Sequence, residues 1–289
     1  MIRILERGDS INNTYTVKFF IGEGAFGEVY RVKHKFLGLQ VLKILKSEYV
    51  SNTDIDTIIK EALILSKLTH ENIVRVFETN SFKKDSQTYY YIAMEFISGE
   101  SLSDLLKREI KLPFHQALNI QIDLLKGLSK AHSSSVIHRD INPDNILLCY
   151  NQKEPKALLS DFGLAQKINI SKNISSAAGR YLYFAPECFS DIYLHTSDVF
   201  SAGIVFYKML TGSYPWEVDL KSIKEIHDIE KNIIVSRKKK PLPPSVFNQN
   251  IPKEVDHLLL KSLELNIEKR FVNGSEFLNA INEINQTKL

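Results

Sequence analysis

The hydrophobic pattern of this chain changes part-way along, and that change limits the folds open to it. From Tyr15 to Leu45, and again over Ile73–Glu78 and Thr88–Glu95, apolar residues come in short runs, with period-two alternation clearest in Gly27–Lys33, as in half-buried strands. Glu95-Phe-Ile-Ser-Gly-Glu-Ser101 ends that part. Beyond it the pattern is helical: Leu102–Lys107, then a long amphipathic run from Phe114 to about Ser133 preceded by Pro113, a helix-start signal. A β-rich front joined to a helical back predicts an α+β fold of two lobes with a cleft between them. With 289 residues the chain can bury a large core in that form.

The front contains one helix-like stretch, Asp54–Leu68, with Asp54 as cap and a broad apolar face in which Glu61 sits. Glu61 faces either solvent or a buried partner. Lys43 is the one charged residue in Leu39–Leu45; it is an outward-facing lysine or a buried cation, and a buried cation requires a partner. Gly22-Glu-Gly-Ala-Phe-Gly27 matches GxGxxG, whose commonest reading is a dinucleotide site. That reading needs a helix after the last glycine, and Glu28-Val-Tyr-Arg-Val continues as a strand. The glycines therefore form a hairpin tip, either a plain tight turn or one that lets backbone N–H groups approach phosphates. The stretch Asn80–Gln87 reads as a surface loop between strands.

In the back, Val136-Ile-His-Arg-Asp-Ile-Asn-Pro-Asp-Asn-Ile-Leu148 holds Asp140 and Asn145 in a polar loop bracketed by apolar residues. Asp140, Asn142 and Asp144 imitate the start of a calcium loop, but Asn145 and Asn151 stand where that loop needs Gly and Glu. A polar turn and a phosphoryl-transfer loop both remain open. A strand pair (145–149 and 157–160) leads to Asp161-Phe-Gly163, a Ser-rich segment, and Gly179-Arg-Tyr-Leu-Tyr-Phe-Ala-Pro-Glu187. The strongly apolar Thr196–Leu210 predicts the core helix, and Pro252–Glu264 and Gly274–Ile284 predict closing helices. Arg237-Lys-Lys-Lys-Pro-Leu-Pro-Pro244 reads as a solvated basic loop, with a localisation or partner signal as the alternative.

Net charge +3 is too small to argue for nucleic acid. No apolar run approaches bilayer length and the start lacks a signal core, so no membrane is expected. Two cysteines, Cys149 and Cys188, suit a reducing, cytoplasmic location. Oligomeric state is not legible here.

Taken in order, these pieces resemble the protein kinase family, Ser/Thr-like, from about Tyr15 to Ile284. The resemblance implies a two-lobed kinase domain over 15–289, with an N-lobe at 15–97 and a C-lobe at 98–289 behind an extension at 1–14. It implies that Gly22, Gly24 and Gly27 cover ATP phosphates, that Lys43 holds them, and that Glu61 pairs with Lys43. Asp140 would orient the acceptor hydroxyl, and Asn145 and Asp161 would hold Mg²⁺, with Mn²⁺ as the alternative ion. The adenine site would comprise Ile21, Val29, Val41, Met94, the Glu95 and Ile97 backbone, and Leu147. Glu187 would pair with Arg270, and Asp198 would steady the catalytic loop.

Arg139 implies control by an activation-segment phosphate, with Ser176, or Ser171 and Ser175, as sites of autophosphorylation. The substrate implied is a protein bearing Ser or Thr. Two positions depart from the family: Asn142 where Ser/Thr kinases usually have Lys, and Arg180 where they usually have Thr. Arg180 either reaches back to replace the missing charge, faces solvent, or binds an acidic substrate. A small-molecule kinase and an ATP-holding scaffold without turnover, the latter favoured only by Asn142, are the alternative readings.

Overall fold

The computed structural model describes residues 3–24, 27–46, 64–150, 154–162, 179–219 and 226–287. The chain divides into two compact units, one ending at Ser98 and the next beginning at Gly99.

The first unit is built on six strands: β1 (Ser10–Ile11), β2 (Tyr15–Glu23), β3 (Gly27–His34), β4 (Gly38–Leu45), β5 (Val76–Lys84) and β6 (Gln87–Glu95). They lie in the order β1-β2-β3-β4-β6-β5, all neighbours antiparallel. Directly opposed residues share a face, so the register sorts the side chains. Val17 opposes Val32, Tyr30 opposes Leu42, Leu42 opposes Ala93 and Ile44 opposes Tyr91. These residues form the core on one side of the sheet, joined by Leu5, Ile11, Tyr15 and Phe82. On the other face Val29 opposes Lys43, Lys43 opposes Ile92, and Val41 opposes Met94.

Leu5 and Ile11 belong to the stretch ahead of the first long strand, and both are buried. That stretch is held by polar bonds as well. Ile4 N–H donates to Glu28 Oε2 at 3.0 Å, Leu5 N–H to the Tyr30 hydroxyl at 3.0 Å, and Lys84 Nζ to Ile4 O at 2.9 Å. On the same side, the hydroxyls of Tyr15 and Tyr91 both donate to Glu78 Oε1, at 2.9 and 2.8 Å. Burial, then the Glu78 carboxylate, pushes both phenols well above their ordinary pKa.

The expected loop at Asn80–Gln87 is a correction. Strand β5 runs to Lys84, β6 starts at Gln87, and the turn is only Asp85-Ser86. Both turn residues have positive φ, 49° and 64°, the twist that suits a two-residue hairpin. Of the predicted helix over 54–68, only 64–67 lies within the described helical residues.

The second unit opens with β7 (Gly99–Ser101), which pairs with β8 (Ile146–Cys149) and through it β9 (Lys156–Leu159). Its α-helices among the described residues are α1 (Leu102–Glu109), α2 (Phe114–Ser133), α3 (His195–Thr211), α4 (Ile226–Ser236), α5 (Lys253–Ser262) and α6 (Gly274–Thr287). Ser101 caps α1 by accepting from Asp104 N–H at 3.1 Å, and Pro113 precedes α2. Helix α3 is buried along nearly its whole length, as its composition requires, and α2 packs against both α3 and α6.

Candidate active site

The Val136–Ile146 loop is held from two sides. Asp198, in the first turn of α3, accepts from His138 N–H at 2.7 Å and Arg139 N–H at 2.9 Å. It also accepts from His132 at 3.0 Å. Because His132 Nδ1 accepts from Gly274 N–H at 3.0 Å, its Nε2 carries the proton given to Asp198. His138 follows the same logic: Nδ1 accepts from Asp140 N–H at 3.3 Å, so Nε2 donates to Ser160 O at 2.9 Å. Arg139 (φ 69°) and Asp161 (φ 59°) take left-handed backbone, a conformation costing about 1–3 kcal/mol for a non-glycine residue. The bond that Arg139 N–H donates to Asp198 is part of what holds Arg139 there.

Inside this frame the Asp140 carboxylate is 5 % exposed and surrounded by donors. Asn142 Nδ2 reaches Oδ1 at 2.9 Å and Asn145 Nδ2 reaches Oδ2 at 2.7 Å. Arg180 closes on both oxygens, Nε to Oδ1 at 2.7 Å and Nη2 to Oδ2. Burial works against the charge on Arg180, yet Asp140, then Asp161 and Asp144, hold its pKa above the ordinary arginine value. Asn142 does a second job, accepting from Asp144 N–H at 2.9 Å and so capping the 3₁₀ turn Pro143–Asn145.

The donor set suits a hard cation. Nδ2 of Asn145 is committed to Asp140, which turns its amide oxygen to the other side, and Asp161 adds a carboxylate. Among the described residues no group of three His, Cys, Asp or Glu is placed to hold a metal ion by itself. A cation here would rest on two protein ligands and on phosphate oxygens, the pattern Mg²⁺ prefers over an all-protein cage.

Further along, Arg270 closes on Glu187 with both terminal nitrogens, and Ser197 Oγ donates to Glu187 Oε1 at 2.7 Å. In the first unit Lys43 is 4 % exposed beside Val29, and Val41 lies beside Met94. Glu95 N–H donates to Arg75 O at 2.9 Å; Glu95 is exposed and Ile97 half-buried. Ile21 is 47 % exposed. Leu147 is half-buried in β8 of the second unit. Glu61, Ser171, Ser175 and Ser176 lie outside the described residues.

The model of the protein kinase domain matches residues 15–283. The chain belongs to the protein kinase family. This chain is 32 % identical over 282 residues to a probable serine/threonine-protein kinase of Clostridium perfringens, covering 96 % of this chain and 39 % of the relative. It is 26 % identical over 284 residues to the probable serine/threonine-protein kinase PknB of Lactococcus lactis, covering 95 % of this chain and 42 % of that protein. The chain thus spans about two fifths of the length of these curated relatives. Among solved structures it is similar to the kinase domain of Mycobacterium tuberculosis PknI, at 25 % identity and TM-score 0.73, over 96 % of this chain and 99 % of that chain.

Two roles in this chain escaped the sequence. The basic run 237–244 is not uniformly solvated: Arg237 is buried, donating to Phe184 O at 2.6 Å and Leu182 O at 3.1 Å. Its guanidinium lies 5.0 Å from the Phe200 ring and 5.4 Å from that of Trp216. Burial pushes its pKa down to about 9, which leaves it charged at neutral pH. The other is Gly27, where a Cβ would stand 2.0 Å from Ile44 O. That glycine is required for strand packing, whatever else it does.

Proposed function

We propose that this chain is an ATP-dependent kinase that phosphorylates Ser or Thr hydroxyls of proteins. The observation that carries the reading is the buried Asp140 carboxylate, oriented by Asn142 and Asn145 of its own loop. In this role Asp140 orients the acceptor hydroxyl and accepts its proton. Asn145 and Asp161 would hold Mg²⁺, or Mn²⁺, which when bound with the nucleotide offsets phosphate charge. Lys43, paired with Glu61, fixes the phosphate tail, and Gly22, Gly24 and Gly27 belong to the hairpin above it. Ile21, Val29, Val41, Met94 and Leu147 contact adenine together with the Glu95 and Ile97 backbone. Arg180 contributes the positive charge that Asn142 lacks.

Arg139 answers to phosphate on Ser176, Ser171 or Ser175, placed by the kinase itself. Glu187–Arg270 and Asp198 are structural supports. The kinase domain is taken as 15–289, with 15–97 as N-lobe and 98–289 as C-lobe. A cytoplasmic location is supported by two cysteines that are both free. Among the described residues no helix is long and apolar enough to cross a membrane.

A transfer assay with labelled ATP and Mg²⁺ tests the reading. Asp140→Asn is expected to lose roughly 10²–10⁴-fold in turnover. Wild-type turnover in that variant sinks the assignment.

A further inference from the structure

A carboxylate offers about four acceptor positions, and four donors already point at Asp140. Oδ1 takes Arg180 Nε and Asn142 Nδ2, while Oδ2 takes Arg180 Nη2 and Asn145 Nδ2. A hydroxyl presented to this carboxylate finds its acceptor positions filled, so one donor must withdraw before Asp140 can act as a base. The two asparagines are poor candidates for that. Both are buried, both sit on Asp140's own loop, and each also donates to the Asp140 carbonyl, at 3.1 and 2.8 Å. Arg180 comes from 40 residues further along the chain. Its side chain is 19 % exposed against 4 % for Asp140, and its fork matches a phosphoryl group as well as a carboxylate.

Charge limits what can draw it away. Asp161 and Asp144 act on Arg180 together with Asp140. A bare acidic side chain entering there would add another negative charge to three. A nucleotide phosphoryl group arrives with a divalent cation and so brings the compensating charge with it.

Resting on the reading of Asp140 as the base, we infer that Arg180 gates it: without nucleotide the guanidinium covers the carboxylate, and the terminal phosphoryl group of ATP takes it over. The exchange is one of ion pairs, with no covalent bond made or broken. It makes nucleotide binding a condition for tight binding of the acceptor hydroxyl, and Arg180 a positioning residue as well as a source of charge.

The test is the affinity of an acceptor peptide for the full chain in three states: Mg²⁺ alone, Mg²⁺ with ADP, and Mg²⁺ with a non-hydrolysable ATP analogue. The probe is a peptide copying residues 166–179, or another acceptor that the transfer assay identifies, beside its Ser→Ala counterpart. Wild type is expected to bind the serine peptide about tenfold tighter with the analogue than with ADP, one hydrogen bond's worth. The alanine peptide is expected to show no such difference. Arg180→Gln is expected to bind the serine peptide with the tighter affinity in all three states. That gain cannot come from misfolding. Equal wild-type affinities with ADP and analogue overturn the gate, as does coupling that survives in Arg180→Gln. Tighter binding without nucleotide of a peptide with an acid beside the acceptor also overturns it. Lost turnover in Asp140→Asn without coupling in wild type removes the gate and leaves the base reading standing. Full turnover in Asp140→Asn removes both.

Discussion

Arg270 grips Glu187 in a fork, Nη1 to Oε1 at 2.6 Å and Nη2 to Oε2 at 3.0 Å, across 83 residues of sequence. Arg270 Nε is spent on Glu264 O at 2.5 Å, so the guanidinium fastens the Ala185-Pro-Glu187 segment to the end of α5. Removing one partner leaves a buried charge uncompensated, so Arg270→Met is expected to lose about 3–5 kcal/mol in denaturant unfolding.

The same pair sets an acid limb. Burial pushes the Glu187 carboxyl up, but hydrogen bonds from Arg270 and Ser197 outweigh it and hold the pKa below 4.5. A folded pKa below the unfolded one means the contribution is complete above that unfolded value and fades as pH falls through the folded one. Unfolding curves below pH 4.5 should therefore be shallower in pH for Glu187→Gln than for wild type. Identical acid limbs would contradict the assignment.

Arg180→Thr is expected to lower turnover by two to three orders of magnitude, about 3 kcal/mol, as for removal of a preorganised charge donor. Adding Asn142→Lys should restore part of it. A double variant no more active than Arg180→Thr alone rules out charge replacement.

The three glycines of the hairpin should separate. A Cβ at Gly22 or Gly24 meets nothing within 4 Å, whereas at Gly27 it strikes the Ile44 carbonyl. Gly27→Ala is expected to cost about 1–3 kcal/mol of stability through overpacking. Gly22→Ala and Gly24→Ala should leave the melting temperature near wild type and change only the KM for ATP.

Within the basic run, Arg237→Leu leaves the Leu182 and Phe184 carbonyls without their charged donor, at about 1.5–3 kcal/mol for such bonds. Lys238→Ala, Lys239→Ala and Lys240→Ala, all exposed, should stay within about 0.5 kcal/mol of wild type. Thermal melts of the four variants suffice.

Much of this architecture is readable before any coordinates. Strands β2 and β3 and helix α2 declare themselves because their buried positions recur at the right period, and strand β4 and helix α3 by near-continuous apolar runs. Strand β5 does not, because beyond Glu78 only Phe82 turns into the core; one residue makes no period. Arg237 was hidden by its lysine neighbours, since composition cannot say which member of a run points inward. Asn142 stood out as the missing lysine, but its bonds to Asp140 and to the turn at Asp144 depend on backbone geometry that a residue pattern does not contain.

The strap formed by residues 3–11 has a practical consequence. The match to the family model begins at Tyr15, yet Leu5 and Ile11 are 2 % and 1 % exposed in the core of the sheet. A boundary drawn at Tyr15 would cut through a hydrophobic core and expose the side chains those two residues cover. It would also strip Glu28, the neighbour of Gly27, of the Ile4 N–H it accepts. The minimal folding unit of this chain is longer than the stretch that the family model matches.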